Sequence, residues 1–338
     1  MSEKEAEKKQ NELAIERRHE IEELRTLMGT FPEPPKRDNE FFVGCSGVKA
    51  KLIDYPENPY RAIFEIVTST WGGRKNWMDK WARTSPEGRK EVVMAALTRN
   101  TLPVCLEAPK FTFAIEGLSR SAFDQLARAR IGTGFGSVGT RDNPWVDAAF
   151  IIPDYIASKP ELRSEYEDVC TKIMDLYQKI VEGEKASWQV ARYILPMGVT
   201  HRFTMTINYL AFQSMCNTRL IFCEQFDTVG ATWACWKELY SKYPLLAVYC
   251  RPGCDRTGKC MYHKPYSLSE AFGCLFKGCG RNPEQGDYQY YQFNEIGADI
   301  GKLEDQLKFH IPRPEEWKAM EEYSLDHDKI YFEDKADD

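Results

Sequence analysis

The sequence lacks the features typical of membrane, secreted and nucleic-acid-binding proteins. Its uncharged apolar runs, such as residues 245–250, fall far short of the ~20 residues that a membrane helix requires. The charged segment at residues 1–25 has no apolar stretch of the kind found in secretory signals. The 51 acidic residues outnumber the 45 basic ones, whereas proteins that grip nucleic acid through its phosphates usually have a basic excess. These absences predict a cytoplasmic protein with no membrane segment and no nucleic-acid partner.

Composition and proline positions divide the 338 residues into three predicted parts. Residues 1–40 mix acidic and basic side chains with few apolar ones and include a proline-rich break, which predicts a charged helical extension. Residues 41–245 form the predicted core, and residues 246–338 form a Cys-rich extension with an acidic tail. A chain of this length can bury a large core without disulfide bonds.

Hydrophobic patterns predict both strands and helices within this core. The β-branched and aromatic residues at 111–115 predict a strand, and the glycine-rich residues 131–139 predict a loop that phosphate could approach. Apolar residues predict a core element at 61–71. Helical periodicity predicts three helices, at residues 121–130, at about 161–181, and at about 206–240 with an interruption near Gly230 and an outer limit at Pro244.

Polar residues recur at helical spacing in two of these helices. Gln125 and Arg128 are three residues apart and would share a helix face, and Arg130 lies where the glycine-rich loop begins. Asn208 and Arg219 are eleven residues apart, close to three helical turns, so they would point the same way. Each arginine would need a partner, and both an ordinary ion pair and a bound phosphate satisfy that need.

The order of these segments resembles that of the flavin-dependent thymidylate synthases. The resemblance runs from about Arg61 to Tyr240. It is carried by Phe-Thr-Phe at 111–113, by residues 116–120, by Gln125, Arg128 and Arg130 with the glycine-rich loop, and by Ala-Arg-Tyr-Ile-Leu-Pro at 191–196 followed by Asn208 and Arg219. It implies the α+β fold of that family, here with an N-terminal helical arm and a Cys-rich C-terminal extension around a flavin- and nucleotide-binding core.

The resemblance also implies a role for individual residues, matched by position. The FAD-binding residues would be Thr68, Arg128, Arg130 and Asn208. The nucleotide-binding residues would be Gln125, Ser137, Arg141, Arg192 and Arg219. Arg219 and Arg130 would act in catalysis, because negative charge that develops on the pyrimidine ring must be stabilised.

The sequence departs from the family's signature at several positions. Ala129 replaces the signature histidine, and Thr133 replaces a serine. Ser137 and Arg141 match a Ser-x-Arg motif only loosely, because the arginine falls late, and the family's glutamate falls near Gly136. Two further family histidines correspond to Ala108 and Cys223.

The activity that the resemblance implies is flavin-dependent methyl transfer to C5 of a pyrimidine deoxynucleotide, dUMP, in a homotetramer. Methylenetetrahydrofolate would donate the one-carbon unit and NADPH the electrons, while the protein positions the reactants. The altered signature leaves two alternatives open. One is a related transferase that acts on dCMP or gives a hydroxymethyl product, and the other is a non-catalytic protein of the same fold that binds nucleotide or a partner chain.

Several cysteines lie close together near the predicted extension. Cys250, Cys254, Cys260 and His263 have spacings that match no standard zinc finger. Soft ligands in a chain without an export signal nevertheless suit zinc or an iron-sulfur cluster. Metal ligation and reduced structural thiols are both open interpretations of this cluster.

We expect the combined substitution Cys250→Ser and Cys254→Ser to release metal if these thiols are ligands, because a serine hydroxyl is a far weaker ligand than a thiolate. Elemental analysis of the purified proteins measures this loss, with Cys170→Ser as a control outside the cluster. Equal metal content in parent and variant, including none in either, would rule the ligation out.

Overall fold

The central sheet is built from strands along which apolar and polar residues alternate. The structure, a computed structural model, describes residues 40–73, 77–99, 102–220, 224–252 and 314–333. Four strands lie in the order β2-β3-β6-β4, all antiparallel to their neighbours, and β1 pairs in parallel with β5 in a separate small sheet. The strands are β1 (Phe41–Val43), β2 (Lys49–Asp54), β3 (Lys110–Ser119), β4 (Thr133–Ser137), β5 (Phe150–Ile152) and β6 (Thr200–Asn208).

Helices make up much of the rest of the described chain. The α-helices are α1 (Pro59–Trp71), α2 (Lys80–Arg83), α3 (Pro86–Arg99), α4 (Arg120–Leu126), α5 (Asp154–Ala157), α6 (Pro160–Gln178), α7 (Trp188–Ala191), α8 (Tyr209–Arg219), α9 (Phe226–Lys242), α10 (Pro244–Val248) and α11 (Pro314–His327). Short 3-10 segments occupy Trp77–Asp79, Pro103–Glu107, Arg192–Ile194 and Asp328–Tyr331, and a π-helical turn occupies Lys179–Gly183.

The long ladder between β3 and β6 has one buried and one open face. Phe111, Phe113 and Ile115 point into the core, as expected for the two-residue period of a strand. Near the end of β3 the register shifts at Gly117, whose φ is +79°. A Cβ there would come within 1.7 Å of the Gly47 carbonyl oxygen, so this bulge requires glycine.

Each strand of this ladder runs directly into a helix. Ser119 ends β3 and caps α4, since its hydroxyl accepts a hydrogen bond from the Ala122 N–H at 3.1 Å. Asn208 ends β6 and caps α8, since its Oδ1 accepts from the Ala211 N–H at 2.8 Å. These caps satisfy donors that the first turn of a helix leaves unpaired, and they fix where both helices begin.

Residues 314–333, the C-terminal segment, pack into the same core as the sheet. Trp317 and Phe332 are buried in that core, and Trp317 meets the ring of Trp236 edge-on with centroids 5.5 Å apart. Asp328, fully buried, accepts hydrogen bonds from the Leu245 N–H at 2.8 Å and from the Tyr60 hydroxyl. The predicted limit of the core at residue 245 lies inside α10, and the predicted division into parts stays a prediction.

Several predicted elements are present in the structure. Residues 111–115 lie within β3, and residues 61–71 lie within α1, where Ile63 and Phe64 are buried. The helix predicted near 161–181 is α6, which ends at Gln178 and continues as the π-helical turn. The predicted helical arm at residues 1–40 lies outside the described residues, apart from Glu40.

Three predictions of local structure were wrong. The long helix predicted at 206–240 is the end of β6 followed by α8 and α9, because threonines alternate with buried apolar residues up to Asn208, which then caps α8. Its predicted interruption at Gly230 lies inside α9.

The helix predicted to reach residue 130 ends at Leu126, so Arg128 does not share a helix face with Gln125. Residues 133–137 of the predicted glycine loop form the edge strand β4.

No helix among the described residues combines the length and the apolar character needed to span a lipid bilayer.

His201 is a buried polar residue on β6 with an apolar environment. Its ring lies 4.4 Å from that of Phe123 and 6.0 Å from that of Trp145, measured between centroids. Neither ring nitrogen has a hydrogen-bond partner among the described residues. Burial, with the nearby positive charges of Arg120 and Arg202, lowers the pKa of His201 from 6.5 to about 4.

This lowered pKa predicts a loss of stability in acid. The unfolded chain binds a proton to His201 below pH 6.5 and the folded chain binds it only near pH 4, so the stabilisation present above pH 6.5 declines as the pH falls between these values, by at most about 1.4 kcal/mol per pH unit. The free energy of unfolding, measured with denaturant at several pH values, shows this decline. His201→Phe should flatten this decline, whereas Phe203→Leu in the same cluster should retain it; equal slopes in parent and His201→Phe would contradict the prediction.

Candidate functional site

Two predicted site residues meet where α4 and α8 end. The Arg219 Nη2 donates to the backbone carbonyl of Gln125 at 3.3 Å, and its Nη1 lies 2.7 Å from Oε2 of Glu224. Arg219 is the last residue of α8, while Gln125 is in the last turn of α4. A cation is favoured at a helix C-terminus because the last carbonyls carry partial negative charge. The structure therefore brings Arg219 and Gln125 together, although 94 positions separate them in the chain.

The side chain of Gln125 is held by residues at the start of α9. Its Nε2 donates to Oε1 of Gln225 at 2.6 Å, and its Oε1 accepts from the Thr228 hydroxyl at 3.4 Å. Ser121 also donates to Oε1 of Gln225, at 3.2 Å. Both ends of the Gln125 amide are thus engaged by α9 and its preceding residue.

A buried carboxylate completes this network. Asp227 is fully buried on α9. Its Oδ2 accepts from the Ser119 N–H at 3.0 Å and its Oδ1 accepts from Nε2 of Gln225 at 2.7 Å. Gln225 and Asp227 were missed by the sequence analysis because their partners lie about one hundred residues away and no local spacing marks them. We call Gln125, Arg219, Glu224, Gln225 and Asp227 the polar network.

The residues after α4 carry exposed cations. Arg128 and Arg130 are exposed and have no ion-pair partner within the described part of the chain. Gly132 follows with φ +73°, and its carbonyl accepts from the Asn208 N–H at 2.9 Å. A Cβ at Gly132 would lie 2.5 Å from Nδ2 of Asn208, so glycine is required for this close approach. Asn208 uses its Oδ1 as a helix cap and keeps its Nδ2 donors free of any protein acceptor within the described residues.

Two positions that depart from the family's signature contact each other. The Thr133 hydroxyl donates to the backbone carbonyl of Ala129. Thr133 begins the edge strand β4, where it pairs with Ile207 of β6. Thr133, in place of the signature serine, therefore bonds to the backbone of Ala129, which stands in place of the signature histidine.

The other predicted site residues lie apart from the polar network. Thr68, on α1, donates its hydroxyl proton to the carbonyls of Phe64 and Glu65. Arg192 is half-buried in a 3-10 segment, with its guanidinium carbon 5.8 Å from the ring centroid of Tyr193. Ser137, which ends β4, and Arg141 are exposed. Among the described residues, no hydrogen bond or ion pair joins these four predicted site residues, namely Thr68, Ser137, Arg141 and Arg192, to the polar network.

The predicted metal cluster is described only in part. Cys250 is fully buried, and its thiol lies within hydrogen-bonding reach of Cys216 and of the Tyr209 hydroxyl. Burial raises the pKa of the Cys216 thiol well above its usual value. The other predicted ligands, Cys254, Cys260 and His263, lie outside the described residues. Within the residues that are described, no group of three or more histidine, cysteine or acidic side chains could hold a metal, and ligation by Cys250 stays a prediction.

Comparison with known proteins identifies the family. Residues 51–245, more than half of the chain, match the family model described as "Thymidylate synthase complementing protein". The flavin-dependent thymidylate synthase of Thermococcus onnurineus is 25% identical over 228 residues, which cover 63% of this chain and 89% of the relative. That of Sulfolobus acidocaldarius is 27% identical over 233 residues, which cover 68% and 86%. The chain therefore belongs to the thymidylate synthase complementing protein family.

Solved structures share the fold. A UMP/dUMP methylase from Streptomyces cacaoi, bound with 5-Br dUMP, aligns with a TM-score of 0.53 and 14% identity over 62% of this chain and 96% of its own. A flavin-dependent thymidylate synthase from Helicobacter pylori, complexed with FAD and dUMP, aligns with a TM-score of 0.50 and 15% identity over 60% and 99%. The predicted α+β fold is confirmed, and so is the prediction of an enzyme of the flavin-dependent thymidylate synthase class.

Proposed function

We propose that this enzyme transfers a methyl group to C5 of dUMP with the help of a bound flavin. The observation that carries the proposal is the polar network, which joins Arg219 and Gln125 from distant parts of the chain. Both residues occupy positions at which the family resemblance places nucleotide contacts. The relatives named above are flavin-dependent thymidylate synthases and a UMP/dUMP methylase, which supports dUMP as the substrate.

Nucleotide binding would use charged and amide donors. In the proposed complex, Arg192, Arg219 and Arg141 supply charge-assisted hydrogen bonds to phosphate or carbonyl oxygens. Ser137 and Gln125 supply neutral ones. The Arg219 side chain, which pairs with Glu224, is 23% exposed, so a ligand can reach part of it.

The residues present fit a flavin dinucleotide. Arg128 and Arg130 are exposed cations with no ion-pair partner among the described residues, and Nδ2 of Asn208 has no protein acceptor among them. A diphosphate and ring carbonyls are acceptors, so this set of donors has the chemistry that FAD needs. Thr68 would contribute an acceptor only, since its hydroxyl proton is bound by its own helix.

The protein's contribution to the chemistry is electrostatic. A flavin held by the residues above would supply the hydride that completes the methyl group. Arg219 and Arg130 would hold the pyrimidine and stabilise the negative charge that develops on its ring, because fixed cations need not reorganise as the charge forms. Methylenetetrahydrofolate as the one-carbon donor, NADPH as the reductant and a homotetrameric assembly belong to this proposal through the family resemblance.

A related transferase that acts on dCMP is the second candidate function. The altered signature favours it, because Ala129 has no polar side chain and the Thr133 hydroxyl is bound to the Ala129 carbonyl. A site that contacts a different base could have lost the signature groups in this way.

We expect the purified protein to show a flavin absorption spectrum, either as isolated or after FAD is added. It should then convert dUMP to dTMP when supplied with methylenetetrahydrofolate and NADPH. A parallel assay with dCMP distinguishes the two candidate functions. Turnover of dCMP without turnover of dUMP would make the second candidate correct, and failure to bind FAD at all would overturn both.

We expect Arg219→Ala to weaken dUMP binding by about 2 kcal/mol, roughly thirtyfold in Kd, because a charge-assisted hydrogen bond is lost. Isothermal titration calorimetry on the FAD-loaded protein measures this change. Glu224→Gln should keep or strengthen binding, since it removes the internal partner of Arg219 while leaving the guanidinium in place.

The matched control is Arg163→Ala. Arg163 forms a similar ion pair with Glu167 at 2.8 Å, but on the exposed side of α6, so its loss should leave dUMP affinity unchanged. Equal affinity of parent and Arg219→Ala would remove Arg219 from the proposed nucleotide site.

A further inference from the structure

Gln225 and Asp227 lie behind the residues that are proposed to touch the nucleotide. Neither has a role in the family resemblance set out above. Gln225 contacts the side chain of Gln125, and Asp227 contacts that of Gln225. Asp227 is fully buried, so its hydrogen-bond partners are fixed by the protein and not by solvent.

The chemistry of a carboxylate determines the direction of each hydrogen bond in this chain. A carboxylate only accepts, whereas an amide both donates through nitrogen and accepts through oxygen. Oδ2 of Asp227 accepts from the Ser119 N–H. Because Oδ1 can also only accept, the group of Gln225 that faces it must be the nitrogen. The oxygen of Gln225 then faces Gln125 and can only accept.

The same logic carries through to Gln125. Because the oxygen of Gln225 accepts, Gln125 must present its nitrogen there, and its own oxygen then faces the Thr228 hydroxyl. Ser121 reinforces this order by donating to the oxygen of Gln225. Reversal of the Gln125 amide would place two oxygens 2.6 Å apart, which is strongly unfavourable.

We propose that Asp227 and Gln225 are positioning residues that fix the orientation of the Gln125 amide, so that Gln125 offers the nucleotide its remaining N–H. The group recognised would be an acceptor, either a phosphate oxygen or a base carbonyl oxygen. This inference rests on the proposed function, since it assumes that Gln125 contacts the nucleotide. It adds that the buried carboxylate of Asp227, acting through Gln225, makes Gln125 a hydrogen-bond donor in this contact.

A purely structural role predicts a different outcome. If the network only stabilises the start of α4, loss of Gln225 would lower stability and would affect nucleotide binding independently of Gln125. If Gln225 acts through Gln125, the two effects on binding would not add. A double-mutant cycle separates these cases because it measures the coupling between the two residues.

The test measures dUMP affinity of the FAD-loaded full chain for the parent, Gln125→Ala, Gln225→Ala and the double variant. Gln225→Ala should weaken binding about three- to tenfold in the parent, the range for one neutral hydrogen bond, and by less than twofold in the Gln125→Ala background. Additive losses, or no loss in either background, would overturn the proposal. Absence of dUMP binding by the parent would instead overturn the proposed function and this inference with it.

A second variant keeps the test valid if Gln225→Ala folds poorly. Asp227→Asn preserves size but offers an N–H where the carboxylate accepted, so Gln225 and then Gln125 would reverse. We expect weakened dUMP binding with a small change in Tm, whereas unchanged affinity would contradict the relay.

The control is Gln213→Ala. Gln213 is a buried glutamine of α8 that donates to the Tyr249 carbonyl at 3.1 Å and takes no part in the polar network. It should lower Tm without changing dUMP affinity. A loss of affinity in this control equal to that of Gln225→Ala would show that destabilisation alone weakens binding, and would overturn the proposal.

Discussion

The antiparallel ladder between β3 and β6 determines where the candidate site lies. Ser119 pairs with Thr200 at one end of this ladder, and Asn208 lies at the other. Each strand passes directly into a helix through its capping residue, so α4 and α8 start from opposite ends of the sheet. The two helices end close together, where Arg219 binds the Gln125 carbonyl. A shift in the register of this ladder would separate the pair.

Polar groups beneath the site are more fully satisfied than those facing outward. Asp227 and Gln225 use their side-chain atoms within the protein, while Arg128, Arg130 and Nδ2 of Asn208 have no protein partner among the described residues. Burying a polar group without a hydrogen-bond partner is costly, whereas exposed donors can bond to water until a ligand binds. The exposed set belongs to the proposed binding surface, and the satisfied set lies behind it.

Much of the core could be predicted from sequence, because its elements have strong local patterns. The strand at 111–115, predicted from its β-branched and aromatic residues, and the helix predicted near 161–181 are both present. Residues 133–137 were not predicted as a strand, since glycine-rich edge strands have weak local preferences and form through pairing with a partner. The helix predicted from residue 206 was wrong because the polar and buried apolar residues that alternate up to Asn208 form a strand.

The roles of the candidate site residues come from the family resemblance and stay predictions, and their arrangement could not be predicted from the sequence. Resemblance to the family selected Gln125 and Arg219, which the structure joins. Gln225 and Asp227 carry no signal in a single sequence, because what distinguishes them is a set of partners far away in the chain. Such residues become recognisable only when the fold brings their partners within hydrogen-bonding distance.

The position of residues 314–333 in the chain determines when the core can be completed during synthesis. Trp317, Asp328 and Phe332 complete the core around Tyr60 and Leu245, yet they leave the ribosome after every other described part of it. Until then, the Leu245 amide lacks its carboxylate acceptor and apolar surface stays open to water. Folding of the core during translation can therefore begin early but cannot finish before residues 314–333 are synthesised.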